Sequence, residues 1–274
     1  IEMGNYTRLD CCIGSSGLMR AALAQAVHHA RHRTAFQKKL IDQPLMTTVL
    51  ADLALESEAA AALTFRLARA YDESDEASLA LRRVVTPAAK FWICKRTPFL
   101  IGEAMEVLGG SGYIEECVLP RLYREAPVNS IWEGSGNVMC LDVLRALGRT
   151  PHIADVLKRE FDTGDARVTV FAERLFQRLS SPERNDEAQA RALTRDLVLA
   201  LQAALLVKHA PDYVADAFCA SRLDGDGGAA FGLLPRSAEA RAIVERAGPL
   251  TERAHGLASS CPRSPRASTS FFFK

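Results

Sequence analysis

Apolar positions in the first 150 residues recur with the period of long helices. They return every three or four residues from Arg8 to Arg33, from Pro44 to Asp72 and from Ala77 to Leu108. This spacing places apolar side chains along one face of an α-helix. Another helix is predicted from Asn137 to Leu147. Long helices joined by short polar connections are typical of a bundle, so the predicted fold class is all-α.

The pattern also predicts how these helices pack. In the first helix the predicted buried stripe consists of Leu9, Ile13, Leu18, Ala21, Leu23 and Val27. Gly14 and Gly17 are expected to let a neighbouring helix approach closely. Pro87 and Pro98 interrupt the third helical segment and are expected to kink or restart it.

After Pro151 the apolar runs become shorter. Amphipathic helices are predicted near Ile153–Phe161, Val168–Leu179, Glu187–His209, Asp212–Ala220 and Ala238–Ala254. The predicted organisation is a four-helix bundle domain over 1–150, an additional helical region over 151–255 and a disordered tail over 256–274. The tail lacks periodicity and is rich in Ser and Pro before its final phenylalanines.

Composition is that of an ordinary globular chain, with 48% hydrophobic and 24% charged residues and a formal net charge of +1. Bulk charge therefore does not indicate a nucleic-acid partner.

The seven cysteines form no Cys-x-x-Cys pair, which favours reduced thiols in a cytoplasmic protein. We identify neither a signal peptide nor a membrane span, and expect no membrane partner. His28 and His32 lie one helical turn apart, but a solvated basic helix end is favoured over a metal site.

The most informative segment runs from Met105 to Arg145. It contains a Gly-Gly-Ser-Gly turn, a Pro-Arg-Leu-Tyr-Arg-Glu run and the sequence Trp-Glu-Gly-Ser-Gly-Asn, in which Glu133 is the carboxylate. A carboxylate on a glycine-flanked loop suits an enzyme that removes a proton from a substrate carbon. The alternative is structural: an acidic residue near the start of the next helix stabilises the helix dipole.

This segment resembles the C-terminal helical domain of the acyl-CoA dehydrogenase family, most closely its alkylation-inducible, adaptive-response branch. The resemblance is strong from about Thr7 to Arg145 and looser from Pro151 to about Leu250. Family members have an N-terminal helical domain and a middle β-domain before this region. The chain begins inside the family pattern, so we expect it to be the C-terminal portion of a longer flavoprotein.

The resemblance implies a base and its surroundings. In the family the residue matching Glu133 removes the α-proton of an acyl-CoA thioester while a hydride leaves the β-carbon for FAD. Some members carry the base at the position of Thr7, and threonine cannot take that role. Arg8 matches an arginine near the catalytic carboxylate, with a surface arginine as the alternative. Trp132 and Gly134 complete the substrate-binding residues, with Trp132 as an apolar wall.

The resemblance also implies residues that bind FAD. These are Arg33, Phe36, Leu40, Gly109, Gly110, Ser135 and Asn137. Arg33 and Phe36 match residues that reach the flavin of a neighbouring subunit, and an arginine fork suits a pyrophosphate. Alternatives are a helix-ending loop with a buried Phe36 and a plain helix cap at Gly109. A homodimer or homotetramer is expected.

A second function follows from the same branch, which is associated with double-stranded DNA. Arg145 matches an arginine implicated there, although the wider family shares it. A second such arginine is replaced by Asp226, whose charge would repel phosphate. The leading hypothesis is a flavin-dependent acyl-CoA dehydrogenase. The alternatives are a DNA-binding flavoprotein of the alkylation-damage response with vestigial activity, and a helical bundle of purely structural role.

Overall fold

A computed structural model describes residues 2–150, 152–224 and 229–248 and confirms the all-α class. Its helices are α1 (Glu2–His32), α2 (Pro44–Asp72), α3 (Glu76–Leu108), α4 (Gly110–Tyr113), α5 (Leu119–Asn129), α6 (Gly136–Arg149), α7 (Ile153–Phe161), α8 (Ala166–Ser180), α9 (Ala190–His209), α10 (Asp212–Arg222) and α11 (Ala240–Ala247). Short 3-10 turns cover Leu40–Asp42, Pro182–Asn185 and Glu187–Gln189. An antiparallel hairpin pairs β1 (Thr34–Ala35) with β2 (Lys38–Lys39). The predicted disordered tail lies outside the described residues.

Helices α1 and α3 run in the same direction, with α2 returning between them. The Tyr71 hydroxyl at the end of α2 bonds both the Asn5 carbonyl and the Thr86 hydroxyl. Farther along, Ser15 on α1 donates to the Cys94 thiol on α3 at 3.3 Å. Residue numbers therefore increase together along α1 and α3. The C-terminal ends of these two helices lie toward the same end of the bundle.

The prediction of which α1 residues are buried is partly wrong. Leu23 and Val27 are buried, but Ile13 is 48% exposed and Ala21 is also exposed. The buried face instead includes small polar and sulfur-containing residues such as Cys12. Gly14 and Gly17 also lie on the exposed side, where an added Cβ would meet no atom within 4 Å. Close packing against α3 is achieved by small side chains that a hydrophobicity pattern does not mark.

Helix α3 continues through both of its prolines without restarting. Pro87 and Pro98 each remove one backbone donor from the helix. Each follows a threonine, and the hydroxyls of Thr86 and Thr97 donate to carbonyls four residues earlier at 2.6 and 2.8 Å. Side-chain donors thus add local hydrogen bonds beside each missing backbone bond.

The hydrophobic core is continuous across residue 150. It includes Leu63 from α2 together with Leu157, Leu197, Phe218 and Ile243 from helices of the later region. The later helices pack on α2, α3 and α6. The predicted domain bounds of 1–150 and 151–255 remain predictions, but the main hydrophobic core takes residues from both sides of residue 150.

A buried charge cluster joins the two parts of the chain. Arg222 on α10 is 3% exposed and pairs with Asp52 and Glu56 on α2. Asp52 also accepts from the backbone N–H of Gly232 at 2.8 Å, and Arg96 on α3 pairs with Glu56 at 3.2 Å. Burial acts to raise the pKa of Glu56, but Arg96 and Arg222 outweigh it and hold the pKa below its usual value.

The hairpin of β1 and β2 carries two residues with left-handed backbone. Phe36 has φ 51° and Gln37 has φ 65°, as the two central residues of the turn. Positive φ at both positions is the pattern of a type I′ turn, which usually contains glycine or asparagine. Phe36 is 92% exposed, so the alternative of a buried Phe36 is wrong within the described residues. The side chain of Gln43 donates to the Ala35 carbonyl at 3.0 Å and supports the hairpin.

We expect Arg222→Met to lower the free energy of unfolding by about 3–5 kcal/mol, because it leaves the buried Asp52 without a cation and Glu56 with Arg96 alone. Arg246→Met is the control: its partner Glu58 is also on α2, but the pair is partly exposed, so its loss should cost less than about 1 kcal/mol. Urea unfolding of both variants measures the difference. Equal losses would contradict a special role for the buried cluster.

The decrease in the free energy of unfolding caused by Arg222→Met should also depend on pH. The pKa of Glu56 is lowered in the folded protein, so its stabilising contribution is present above its unfolded pKa. It is lost as pH falls through the folded pKa. The stability gap between wild type and Arg222→Met should therefore narrow below about pH 4, near the unfolded pKa of a carboxyl group.

Replacing Gln37 with glycine should stabilise the chain by ~0.5–1 kcal/mol, because relief of left-handed strain exceeds the added entropy of the unfolded chain. Lys38→Gly is the matched control, since Lys38 lies in β2 and gains no such relief. It should be neutral or destabilising. The midpoint of chemical denaturation compares them, and a destabilised Gln37→Gly would contradict the turn assignment.

Candidate active site

The loop between α5 and α6 presents Glu133. Helix α5 ends as the N–H of Trp132 bonds the Val128 carbonyl at 3.1 Å, and α6 begins as the N–H of Met139 bonds the Ser135 carbonyl at 3.0 Å. Between them Glu133 has φ 55°. This left-handed conformation costs a non-glycine residue of order 1 kcal/mol and is a feature of functional sites.

Gly134 is required by the same loop. Its φ is 110°, and a Cβ added there would lie 2.4 Å from the Met139 methyl carbon and 3.3 Å from a methyl group of Val138. Its conformation disfavours any side chain, and a Cβ would also require the flexible end of Met139 to move. Gly134 therefore lets the chain turn sharply after Glu133 and enter α6.

Two cationic side chains hold consecutive carbonyls of this loop. The Arg8 Nε of α1 donates to the Glu133 carbonyl at 3.2 Å, and the Lys90 Nζ of α3 donates to the Gly134 carbonyl at 2.7 Å. We call these two contacts the backbone clamp. Arg8 was predicted to bind substrate; in the structure its guanidinium contacts the Glu133 carbonyl, Asn5 and Asp142. The sequence reasoning missed Lys90, although a lysine within the apolar segment of α3 is an available signal.

Asp142 on α6 orients Arg8. Its carboxylate accepts from Arg8 at 2.7 Å and from Arg83 at 2.9 Å. Although burial acts to raise the pKa of Asp142, the two guanidinium groups lower it below its usual value. Asn5 accepts another hydrogen bond from Arg8 at 3.3 Å. Residues of α1, α3 and α6 thus converge beside the loop.

The Glu133 carboxylate faces open space rather than the core. Its side chain is exposed, and an added Cβ at Gly4 would lie 3.6 Å from Glu133 Oε2. The carboxylate therefore lies beside α1 at its exposed surface. Trp132, the predicted apolar wall, is 53% exposed next to it in sequence. The loop can therefore offer a carboxylate and an indole to a molecule outside this chain.

Ser135 and Asn137 lie at the start of α6. Ser135 is at the N-cap position, where a serine normally caps the helix, yet its side chain makes no capping hydrogen bond. The Asn137 side-chain oxygen accepts from Arg191 Nε of α9 at 2.8 Å. The later helical region therefore reaches a residue predicted to contact FAD. Sequence reasoning did not anticipate the role of Arg191.

The remaining predicted cofactor residues lie far from Glu133. Arg8 and Arg33 are separated by 25 helical positions, or about 37 Å at 1.5 Å per residue. Arg33 and Phe36 are exposed, whereas Leu40 packs against the core. Gly109, with φ 62°, caps α3 toward this same end of the bundle. An added Cβ at Gly109 or at Gly110 would meet no atom within 4 Å. The predicted residues therefore form two groups at opposite ends.

Arg145 lies on the exposed side of α6, apart from the loop. It has no ion-pair partner among the described residues and lines a surface depression with Arg149 and Glu187. Asp226 lies outside the described residues. The rings of His28 and His32 are in tilted contact, with centroids 4.3 Å apart. Within the part of the chain that the structure describes, no three His, Cys, Asp or Glu side chains converge as metal ligands, and no helix could cross a bilayer.

Comparison with known proteins agrees with this geometry. A family model described as "Acyl-CoA dehydrogenase, C-terminal domain" matches residues 2–148, which include the whole loop and the backbone clamp. AidB of Escherichia coli strain K12 is 48% identical over 232 residues, which cover 83% of this chain and 42% of AidB. The chain thus spans less than half the length of that relative.

Solved structures share the fold. ACDH-11 of Caenorhabditis elegans, in complex with C11-CoA, superposes with a TM-score of 0.72 at 27% identity, covering 82% of this chain and 44% of that one. An acyl-CoA dehydrogenase from Bacillus anthracis, complexed with FAD, has a TM-score of 0.60 at 16% identity, covering 89% and 48%. The similarity to the Bacillus anthracis enzyme shows a shared fold and nothing further. The resemblance predicted from the sequence is confirmed: the chain belongs to the acyl-CoA dehydrogenase family and contains its C-terminal domain.

Proposed function

We propose that this chain is the C-terminal portion of an FAD-dependent enzyme that dehydrogenates an acyl-CoA thioester, with Glu133 as its base. The observation that carries the proposal is the position of Glu133 on a loop whose backbone is held by Arg8 and Lys90. Because the loop is fixed from two helices, the carboxylate can be aimed at one substrate carbon. The C11-CoA complex of ACDH-11 supports acyl-CoA as the substrate class.

Glu133 has the freedom that a general base needs. A base must come within hydrogen-bond reach of the proton that it removes. Glu133 is exposed at the surface of the chain, so an acyl thioester can approach it. The bound acyl group and the Trp132 indole would then exclude water from the carboxylate. Bound FAD would supply the acceptor for the hydride that leaves the β-carbon.

The residues at the start of α6 fit a polar cofactor. The hydroxyl of Ser135 is not used to cap its helix, so it is free to hydrogen-bond a flavin ring. The Asn137 amide retains its N–H donors although its oxygen accepts from Arg191. The open backbone at Gly109 and Gly110 would similarly admit a phosphate-bearing group at the other end of the bundle.

The separation of the two groups supports assembly with a second copy. Arg33 and Phe36 lie about 37 Å from the clamp along α1, too far to contact the same flavin ring as Ser135. The strained hairpin nevertheless projects Phe36 outward, 92% exposed. We propose that the hairpin supports FAD of a neighbouring subunit in a homodimer or homotetramer.

In the full-length protein, Glu133→Gln should lower the dehydrogenation rate by at least about 10²-fold, because the amide cannot accept the α-proton. Visible absorbance should show that FAD remains bound, and anaerobic acyl-CoA titration should follow flavin reduction. Glu116→Gln is a matched control, since Glu116 is exposed and has no ion pair among the described residues. Near-wild-type activity in Glu133→Gln would remove Glu133 from this role.

A second candidate function is duplex-DNA binding by the same flavoprotein. It is favoured by the exposed Arg145, which has no ion pair among the described residues and lines its depression with Arg149. Another depression is lined by three arginines from α8, the following 3-10 turn and α9: Arg178, Arg184 and Arg195. Asp196 pairs with Arg178 and Arg195, so part of this basic surface is neutralised. The second candidate therefore has weaker support than the first.

If the full-length protein binds DNA through this surface, affinity for a duplex should fall steeply with salt. Arg145→Ala should weaken binding and reduce the slope of log affinity against log salt by about 1. Fluorescence anisotropy at several salt concentrations measures both. Arg124→Ala is the control, because Arg124 is exposed but paired with Glu115. Identical behaviour of the two variants would reject Arg145 as a phosphate contact.

A further inference from the structure

Lys90 is a buried cation with no carboxylate partner in the part of the chain that the structure describes. It is 1% exposed in the middle of α3, and its one hydrogen bond among the described residues goes to the Gly134 carbonyl. Burial lowers the pKa of Lys90, against the effect of the nearby Cys94 and Cys11 thiols. Burying an ammonium group is unfavourable unless it is paired and hydrogen-bonded. A lysine here therefore costs stability relative to an apolar side chain, which suggests another reason for its presence.

The contact of Lys90 lies one residue from the proposed base. Gly134 follows Glu133 directly, and both residues have positive φ. Gly134 has the backbone freedom to adopt many conformations, so the loop needs an external constraint to keep one of them. Arg8 fixes the Glu133 carbonyl at 3.2 Å, while Lys90 fixes the next carbonyl at 2.7 Å. The two hydrogen bonds hold the two peptide units that directly follow the Cα atom of Glu133.

We propose that Lys90 is a positioning residue that fixes the direction of the Glu133 carboxylate through the Gly134 carbonyl. The proposal rests on the function proposed above for Glu133. Lys90 lies inside the bundle, whereas the carboxylate is exposed, so Lys90 acts through the loop backbone and not on the substrate. A displacement of a catalytic group by about 1 Å can cost about 10²-fold in rate. Loss of the tether should therefore reduce turnover.

Lys90→Met in the full-length protein separates this role from simple packing. Methionine retains an apolar chain of similar length and removes the donor. We expect kcat to fall roughly 10-fold or more, with KM changed less than about threefold and FAD retained. Stability should stay equal or rise, because an unfavourable buried charge is removed. Lys90→Arg, which keeps a donor, should recover part of the lost kcat. Lys158→Met, at an exposed position, is the control.

The loop itself supplies a second readout. The chain has two tryptophans, so in a Trp92→Phe background the fluorescence of Trp132 reports on the residue beside Glu133. Adding Lys90→Met should increase quenching of Trp132 by acrylamide, since the released loop samples more open conformations. A lysine with a purely structural role would instead change stability while leaving Trp132 quenching and kcat unchanged. That result would overturn the proposal.

Measuring both kcat and Trp132 quenching distinguishes failure of the role proposed for Glu133 from failure of the role proposed for Lys90. If Glu133→Gln retains activity, the proposed role of Glu133 fails, and Trp132 quenching alone then decides whether Lys90 tethers the loop. If Glu133→Gln is inactive and Lys90→Met keeps a wild-type kcat, the role of Lys90 fails while that of Glu133 stands. A fall in kcat with increased Trp132 quenching supports both.

Discussion

The fold depends on how it compensates the charges that it buries. Asp142 receives two guanidinium groups, and the Asp52–Glu56 pair receives Arg222 and Arg96. A buried ion pair contributes little net stability, but removal of one partner is costly. These clusters therefore specify which helices meet. One fixes α1, α3 and α6 beside the Glu133 loop, and the other joins α10 to α2.

Charged side chains also hold the loop that carries Glu133. Its local conformation is unfavourable, since Glu133 is left-handed and Gly134 is flexible. Contacts from α1 and α3 hold that conformation through the backbone, and among the described residues the carboxylate itself forms no ion pair. Arg191 extends this support from the later helices to the start of α6. The later region is thus connected to the candidate site as well as to the core.

The site is divided along the length of the bundle. Parallel α1 and α3 carry Arg8 and Lys90 at the level of Glu133, and they carry the hairpin and Gly109 to the far end. A helix rises about 1.5 Å per residue. The residues that were predicted to bind FAD therefore lie tens of ångströms apart within one chain. The arrangement is consistent with a site assembled from more than one subunit, as proposed above.

The sequence by itself determined the helical class, the bounds of α2, the family and the motif containing Glu133. Helical periodicity is a local property, and a motif is read directly from neighbouring residues. Tertiary structure decided the exposed face of α1 at Ile13, the continuation of α3 through its prolines, and the partners of Arg8 and Lys90. Each of these depends on atoms brought together from distant parts of the chain. The energy of a buried charge depends on those surroundings, which residue spacing does not specify.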